Sequence, residues 1–303
     1  MTSIQKYYGI TGPVPFENVT VDTDNLMFLD PHVIRLRGEP DHFAAEAVRC
    51  LDSFFDTVAR AVMSTDPAAR THAESDLQRF TEPWETRLGM AETGFSGHGA
   101  ASDIGTRIWE AMNTDLEALL HLGILKNIEE LPLFVEGVDR DITSDITTRI
   151  VFGPLAAFTK QMLDHYPEFS TQPHQTAEFD RQVWDPDQHT WAIERVTLPV
   201  TDGKALLLVP RGWTRRNLLM SPTRFFETSL LSYVQGEQAV ALSNGKILKT
   251  PKDRLKQQPT LQRGRKTHLQ VALRAHAAGS NLLELFRTFV ADRFDPPAEL
   301  DAA

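Results

Sequence analysis

Apolar residues recur at helical spacing along most of the chain. Residues 41–63 carry them every three to four positions, which predicts an amphipathic helix that packs one face against a core. The same periodicity predicts further helices over residues 69–80, 102–119, 141–162, 221–240, 261–277 and 281–292. Gly153 and Pro154 should kink or split the helix over residues 141–162, because proline removes a backbone donor and clashes with the preceding turn.

Three segments are predicted as strands. Residues 19–29 read as a short strand broken by Asp-Thr-Asp-Asn, and residues 131–138 (LPLFVEGV) have the apolar density of an inner strand. Residues 180–211 contain three β-rich runs, which Asp-Pro-Asp and Asp-Gly turns separate into a meander. The pattern predicts an α+β fold in which helices pack around a small mixed or antiparallel sheet with a β-meander near residues 180–210.

Two domain arrangements fit this order of elements. The chain forms either one continuous domain or two packed lobes. The first lobe would be helix-rich with short strands, over residues 1–175, and the second would hold the meander and basic helices, over residues 176–303.

Composition narrows the class of protein. Hydrophobic residues at 41% and charged residues at 24% are ordinary globular values. No apolar run approaches the roughly 20 residues that span a bilayer, and the N-terminus lacks the basic and apolar regions of a secretory signal. We therefore expect a cytoplasmic protein without a membrane partner. Cys50 is the only cysteine, which excludes an intrachain disulfide.

Charge is distributed unevenly. Residues 211–276, here called the basic segment, hold thirteen Lys and Arg against three acids, a charge of +10 in a chain of −10, so the remainder carries −20. Such asymmetry predicts contact with nucleic acid, a nucleotide or an acidic protein partner, or docking on the chain's own acidic part. The residues predicted to bind nucleic acid are Arg215, Arg216, Lys249, Lys252, Lys256, Arg263, Arg265 and Lys266.

Four acids, Glu136, Asp139, Asp141 and Asp145, cluster near the start of the helix over residues 141–162. Asp141 and Asp145 lie four residues apart and share a helix face, where two carboxylates repel unless a cation lies between them. With Glu136 they are predicted ligands of Mg²⁺ or Mn²⁺ and predicted catalytic residues. Lys204 is the predicted catalytic lysine, although its spacing from Glu194 only partly matches the Glu-x-Lys of restriction-type nucleases. The alternative is that these acids cap the helix.

Two other segments are weaker candidates. The glycine-rich residues 94–99 precede a helix and could approach a phosphate together with Arg87 and His98, but they lack Gly-Lys-Ser/Thr, and a flexible surface loop is the alternative. Arg263 and His268 satisfy the loose Arg-x4-His pattern of helical HEPN ribonucleases, a pattern common enough to arise by chance.

Two stretches, GVDRDITSDITTRIV (residues 137–151) and LPVTDGKALLLVPRGW (residues 198–213), resemble uncharacterised bacterial proteins associated with anti-phage defence islands. The resemblance implies a setting in which nucleic-acid sensing or cleavage is common. The leading hypothesis is a defence protein that contacts nucleic acid, with metal-dependent nuclease activity. The alternative is a non-catalytic sensor or adaptor subunit that binds a partner protein through the basic segment, as a homo-oligomer or as part of a defence complex.

Overall fold

The predicted α+β fold class is confirmed. The computed structural model describes residues 2–89 and 99–295, and gives only the backbone of residues 99–102. Within these ranges thirteen α-helices surround three small antiparallel sheets. A single hydrophobic core runs through them, from Ile4 to Val290. None of the described helices is both long and apolar enough to cross a membrane.

The elements follow one another in this order. The helices are α1 Ile4–Tyr8, α2 Pro31–Arg37, α3 Asp41–Met63, α4 Pro67–Leu77, α5 Gly99–Asn113, α6 Glu117–His121, α7 Arg140–Ile150, α8 Phe152–His165, α9 Pro222–Phe225, α10 Leu231–Glu237, α11 Lys252–Leu255, α12 Arg265–Ala277 and α13 Leu282–Ala291. The strands are β1 Phe28–Leu29, β2 Thr176–Asp185, β3 Thr190–Thr201, β4 Lys204–Ala205, β5 Thr214–Arg215, β6 Val240–Ala241 and β7 Ile247–Leu248. A π-helical turn over Phe226–Leu230 joins α9 to α10.

The predicted meander is confirmed. β2, β3 and β4 are antiparallel neighbours in chain order, with Thr176 opposite Pro199 at one end of the β2–β3 pair and Asp185 opposite Thr190 at the other. The Asp185 carboxylate accepts hydrogen bonds from the backbone N–H groups of Asp187 and Gln188 and so closes the turn. The other two sheets pair β1 with β5 and β6 with β7.

The strand predicted over residues 131–138 is wrong. The first three residues of this segment instead form the end of a buried 3-10 helix, Ile128–Leu133. The Glu130 carboxylate accepts hydrogen bonds from the backbone N–H groups of Lys126 and Asn127 and thereby stabilises the first turn. Pro132 has no N–H with which to join a strand ladder. The apolar density of the segment therefore indicated burial, not a strand.

The predicted break within residues 141–162 is confirmed. α7 ends at Ile150 and α8 begins at Phe152, just before Gly153 and Pro154. Pro154 lies in the first turn of α8, where a backbone donor is not needed. A Cβ at Gly153 would lie 2.8 Å from Cγ1 of Val183, so glycine allows α8 to approach β2 closely.

Glu85 links the meander to α7. Its buried carboxylate accepts a hydrogen bond from Arg149 Nη2 at 3.2 Å and another from Arg181 Nε at 3.0 Å. Arg149 also donates to the backbone carbonyls of Thr81 and Glu82. The Glu85 carboxylate therefore joins α7 to β2 by charge-assisted hydrogen bonds.

Gly105 lets α5 pack on α4. A Cβ at this position would overlap the backbone carbonyl oxygen of Leu77. Gly105→Ala should therefore force the two helices apart and lower the free energy of unfolding by about 1–3 kcal/mol, as other overpacking substitutions do. Urea unfolding measures the change.

Gly236→Ala is the matched control for this prediction. It adds the same methyl group within α10, where nothing lies within 4 Å of the new Cβ. We expect it to be neutral or to stabilise the protein by about 0.5–1 kcal/mol, through helix propensity. Equal unfolding midpoints for the two variants would mean that Gly105 is not a contact point between the helices.

Candidate functional site

Five arginines converge on one groove of about 810 Å³. They come from three separate parts of the chain: the start of α7, the region around β5, and the C-terminal helices. The groove, here called the arginine groove, is lined by the charged residues Arg140, Arg215, Arg216, Arg224, Arg265, Asp139 and Glu227. Its lining arginines thus outnumber its acids by five to two.

Asp30 fixes the segment that follows β5. It is 1% exposed, caps α2 by accepting the N–H groups of His32 and Val33, and accepts the N–H of Leu219 at 2.7 Å. Burial raises the pKa of Asp30, and these backbone hydrogen bonds oppose that rise. The Arg215 end of β5 is thereby held beside α2.

Arg140 has a structural role in the groove. Its guanidinium lies over the Phe28 ring, 4.8 Å from the ring centroid, and donates to the Arg216 carbonyl at 3.0 Å and to Asn217 Oδ1 at 3.1 Å. Phe28 pairs with Arg215 across the β1–β5 ladder. Arg140 therefore fixes the backbone of Arg215 and Arg216.

Three guanidinium groups of the groove are available to a ligand. The side chains of Arg215, Arg216 and Arg224 make no hydrogen bond or ion pair with any residue that the structure describes. Arg216 and Arg224 are exposed, and Arg215 is half-buried. Burial, reinforced by the nearby charge of Arg263, lowers the pKa of Arg265. An anion in the groove would relieve this concentration of positive charge.

Several predicted basic residues are engaged elsewhere. Lys252 Nζ donates to the Glu227 carbonyl at 2.5 Å, and Lys256 Nζ lies 2.9 Å from Glu227 Oε2. Arg263 donates to Thr223 Oγ1 beside the groove. Lys249 and Lys266 are exposed but do not line the groove. Part of the basic segment therefore docks on its own chain.

The predicted acids divide between two places. Asp139 is the N-cap of α7, accepting the N–H groups of Asp141 and Ile142, which supports the capping interpretation for this residue. Glu136 is exposed and acts electrostatically on Arg265. Asp141 and Asp145 instead lie towards Glu82, and Asp141 Oδ1 lies 3.4 Å from where a Cβ on Gly89 would be.

The pKa of the Asp145 carboxyl group is strongly shifted. Burial, with the negative charges of Asp141 and Glu82, raises its pKa well above 3.8, and Arg149 only partly offsets this. In the described part of the chain no three His, Cys, Asp or Glu side chains have an arrangement that could hold a metal ion. Asp141, Asp145 and Glu136 therefore do not form a set of ligands, and a Mg²⁺ or Mn²⁺ site stays a prediction.

The remaining candidates lie in structural positions. Lys204 is exposed in β4, opposite Thr201. Arg87 is buried and donates to the Val21 carbonyl and to Thr201 Oγ1. Gly99 begins α5, whereas residues 94–98, including His98, lie outside the described residues.

His268 belongs to the core. It is 0% exposed, its Nδ1 lies 2.7 Å from the Leu133 carbonyl oxygen, and the rings of Phe225 and Phe226 flank it. Burial lowers its pKa to about 4, so it is neutral at pH 7. The Arg-x4-His pattern therefore joins an exposed arginine, Arg263, to a histidine of the core, His268.

Sequence reasoning missed two arginines of the groove. Arg224 belongs to the basic segment, and its position before the π-helical turn carries no separate signal. Arg140 lies among the acids of residues 136–145, so the local charge pattern hides it. Only the pairing of β1 with β5 brings Arg140 beside Arg216.

Comparison with known proteins gives one family. No curated protein and no solved structure matches the chain. A family model described as "Domain of unknown function (DUF8370)" matches residues 12–221, which include Arg140, Arg215 and Arg216, while Arg224 and Arg265 lie beyond the matched region. Because the match covers more than half of the chain, this protein belongs to the DUF8370 family.

Proposed function

We propose that this protein binds the phosphate backbone of nucleic acid in the arginine groove, in the anti-phage defence setting that its sequence resemblance implies. The observation that carries the proposal is the presence of three arginines without partners among the described residues, Arg215, Arg216 and Arg224, in one concave surface. Arginine is suited to phosphate because its planar guanidinium donates two parallel hydrogen bonds.

The acids of the groove do not cancel this positive charge. Asp139 is occupied by the backbone N–H groups at the start of α7, and Glu227 is paired with Lys256. The guanidinium groups of Arg215, Arg216 and Arg224 are therefore the charged groups that an incoming anion would meet. Phosphate contacts of this kind supply most of the affinity for nucleic acid without reading its sequence.

The lining of the groove favours contact with the backbone over stacking on bases. None of the described residues that line it is aromatic. Nearby Phe28 is covered by Arg140, and Trp213 is buried with its Nε1 donating to the Glu39 carbonyl. Without an aromatic platform, binding should depend on salt and tolerate any sequence.

Reversal of two groove charges, Arg215→Glu with Arg216→Glu, should weaken binding of nucleic acid across all sequences. Losing two phosphate contacts should flatten the slope of log affinity against log salt by about 1.8 for duplex DNA or about 1.4 for a single strand. Fluorescence anisotropy with labelled single-stranded DNA, duplex DNA and RNA over a salt series measures both quantities. The backbone carbonyl of Arg216, which Arg140 uses, remains in the variant.

The control is Lys6→Glu with Lys160→Glu, which changes the net charge equally at two exposed lysines outside the groove. If both double variants lose affinity equally, binding follows net charge and not the groove. If the wild type retains neither DNA nor RNA at low salt, the nucleic-acid proposal is wrong. Incubation of the same nucleic acids with Mg²⁺, Mn²⁺ or EDTA tests the predicted nuclease activity.

A further inference from the structure

The β6–β7 hairpin displays apolar side chains to solvent on both of its faces. Val240 and Leu248 are paired across the strands, so their side chains share one face with Leu242, whereas Ile247 lies on the other. These four side chains are 42–64% exposed. They are four of the nine large hydrophobic side chains that are exposed in the described part of the chain.

Such a hairpin is not expected to be stable on its own. A two-stranded hairpin is marginal in water unless one face packs on another layer. The hairpin forms a two-stranded sheet by itself within the described residues, with an unpaired edge on each side. A concentrated apolar surface with free backbone edges is typical of a protein interaction site.

The charges on the hairpin are all positive. Residues 238–252 contain Lys246, Lys249 and Lys252 and no acid. Lys252 contacts Glu227, whereas Lys246 and Lys249 have no side-chain partner among the described residues. The hairpin therefore carries apolar and cationic groups that the chain does not satisfy itself, and its partner should be apolar and acidic.

A complementary surface exists on the same protein. The loop Asp22–Leu26 exposes 52% of Leu26 beside two exposed acids, Asp22 and Asp24. Burial and the negative charges of Asp24 and Asp141 raise the pKa of Glu82, so these acids lie close together and a second copy offers an acidic environment around this loop. Two hairpins facing each other would instead bring their lysines together, which is unfavourable.

We propose that the β6–β7 hairpin of one copy docks on the Asp22–Leu26 loop of a second copy of this chain. Val240 and Leu248, which share one face, pack against Leu26, and Lys246 on the same face, with Lys249 just after β7, lies against Asp22 and Asp24. Because the two surfaces differ, a two-fold dimer forms the contact twice, and an arrangement without that symmetry continues into a chain of molecules. The proposal concerns surfaces outside the arginine groove and does not depend on nucleic-acid binding.

Sedimentation velocity on protein freed of nucleic acid tests the association. The wild type should self-associate at low salt, and high salt should weaken it because the exposed charges are screened. Val240→Ser with Leu248→Ser, and separately Lys246→Glu with Lys249→Glu, should each raise the dissociation constant on the order of tenfold or more. Leu285→Ser is the control, because it removes a side chain that is 56% exposed on α13.

A charge exchange tests which surface is the acceptor. Protein with Lys246→Glu and Lys249→Glu should associate with protein carrying Asp22→Lys and Asp24→Lys, although neither variant associates with itself. Circular dichroism and urea unfolding confirm that each variant is folded. A wild type that is monomeric at every concentration, hairpin variants that associate like the wild type, or a mixture that fails to associate would each overturn the proposal.

Discussion

Glu85→Gln is expected to lower the free energy of unfolding by about 3–5 kcal/mol, the usual cost of removing one member of a buried ion pair. The Glu85 side chain is 2% exposed and compensates Arg149, which is 7% exposed, and Arg181, which is 20% exposed. A neutral amide removes the carboxylate that both guanidinium groups contact, and its NH₂ group cannot accept the hydrogen bond that the second carboxylate oxygen accepts now. The main cost is therefore the loss of the charge that is hydrogen-bonded to the buried Arg149 guanidinium.

Urea unfolding measures the loss, and Glu178→Gln supplies the control. Glu178 is paired with Arg195, but both side chains are about two-thirds exposed, so the same chemical change should cost at most about 1 kcal/mol. Equal losses in the two variants would contradict a role of Glu85 in joining α7 to the meander.

Local patterns predicted the elements whose neighbours in sequence are also their neighbours in space. The helix over residues 41–63 matches α3 because its apolar stripe repeats with every turn. The meander was predictable because short turns join adjacent antiparallel strands. The strand predicted over residues 131–138 was wrong because apolar density indicates only that a segment is buried. A buried 3-10 helix and an inner strand are equally apolar.

The candidate site was only partly predictable, because its parts meet through tertiary structure. The charge excess of the basic segment indicated the correct region of the chain, and Arg215, Arg216 and Arg265 do line the groove. Composition could not show that Lys252 donates to the Glu227 carbonyl or that Lys256 pairs with the Glu227 carboxylate. The sign of a charge is visible in the sequence, whereas its partner depends on the fold.

The arginine groove contains residues from inside and outside the region that matches the family model. The part of the chain that matches DUF8370 contributes Arg140, Arg215 and Arg216 to the groove, and the region after residue 221 contributes Arg224 and Arg265. The groove therefore forms where the family domain meets the rest of the basic segment. Residues 12–221 alone would lack Arg224 and Arg265.

Asp145→Asn is expected to stabilise the protein at neutral pH, because it removes a carboxylate whose charged form is disfavoured by burial and by the charges of Asp141 and Glu82. Asp145 is half-buried, has no hydrogen-bond partner among the described residues, and lies near Asp141 and Glu82. Its carboxylate form is therefore disfavoured in the folded state. Asparagine keeps the shape of the side chain and removes the charge.

The pH dependence follows from the direction of the shift. The pKa of Asp145 is raised in the folded state, so at a pH between 3.8 and that raised pKa the unfolded chain releases a proton that the folded protein keeps. The contribution of Asp145 to wild-type stability is therefore greatest below the unfolded-state pKa and falls as pH rises towards the folded-state pKa. Asp145→Asn should lose this decline, and the two proteins should have similar stability at the acidic end.

The same pair of proteins tests the predicted metal site. Mg²⁺ or Mn²⁺ bound at Asp145 would stabilise the wild type in proportion to the logarithm of its concentration and would leave Asp145→Asn unchanged. Thermal melts over pH and metal concentration distinguish the cases, with Asp164→Asn, an exposed acid on α8, as the control. If Asp145→Asn is less stable than the wild type at neutral pH without metal, Asp145 must have a stabilising partner that is a cation or a hydrogen-bond donor. If only the wild type responds to metal, Asp145 is a ligand of that metal, as the sequence predicted.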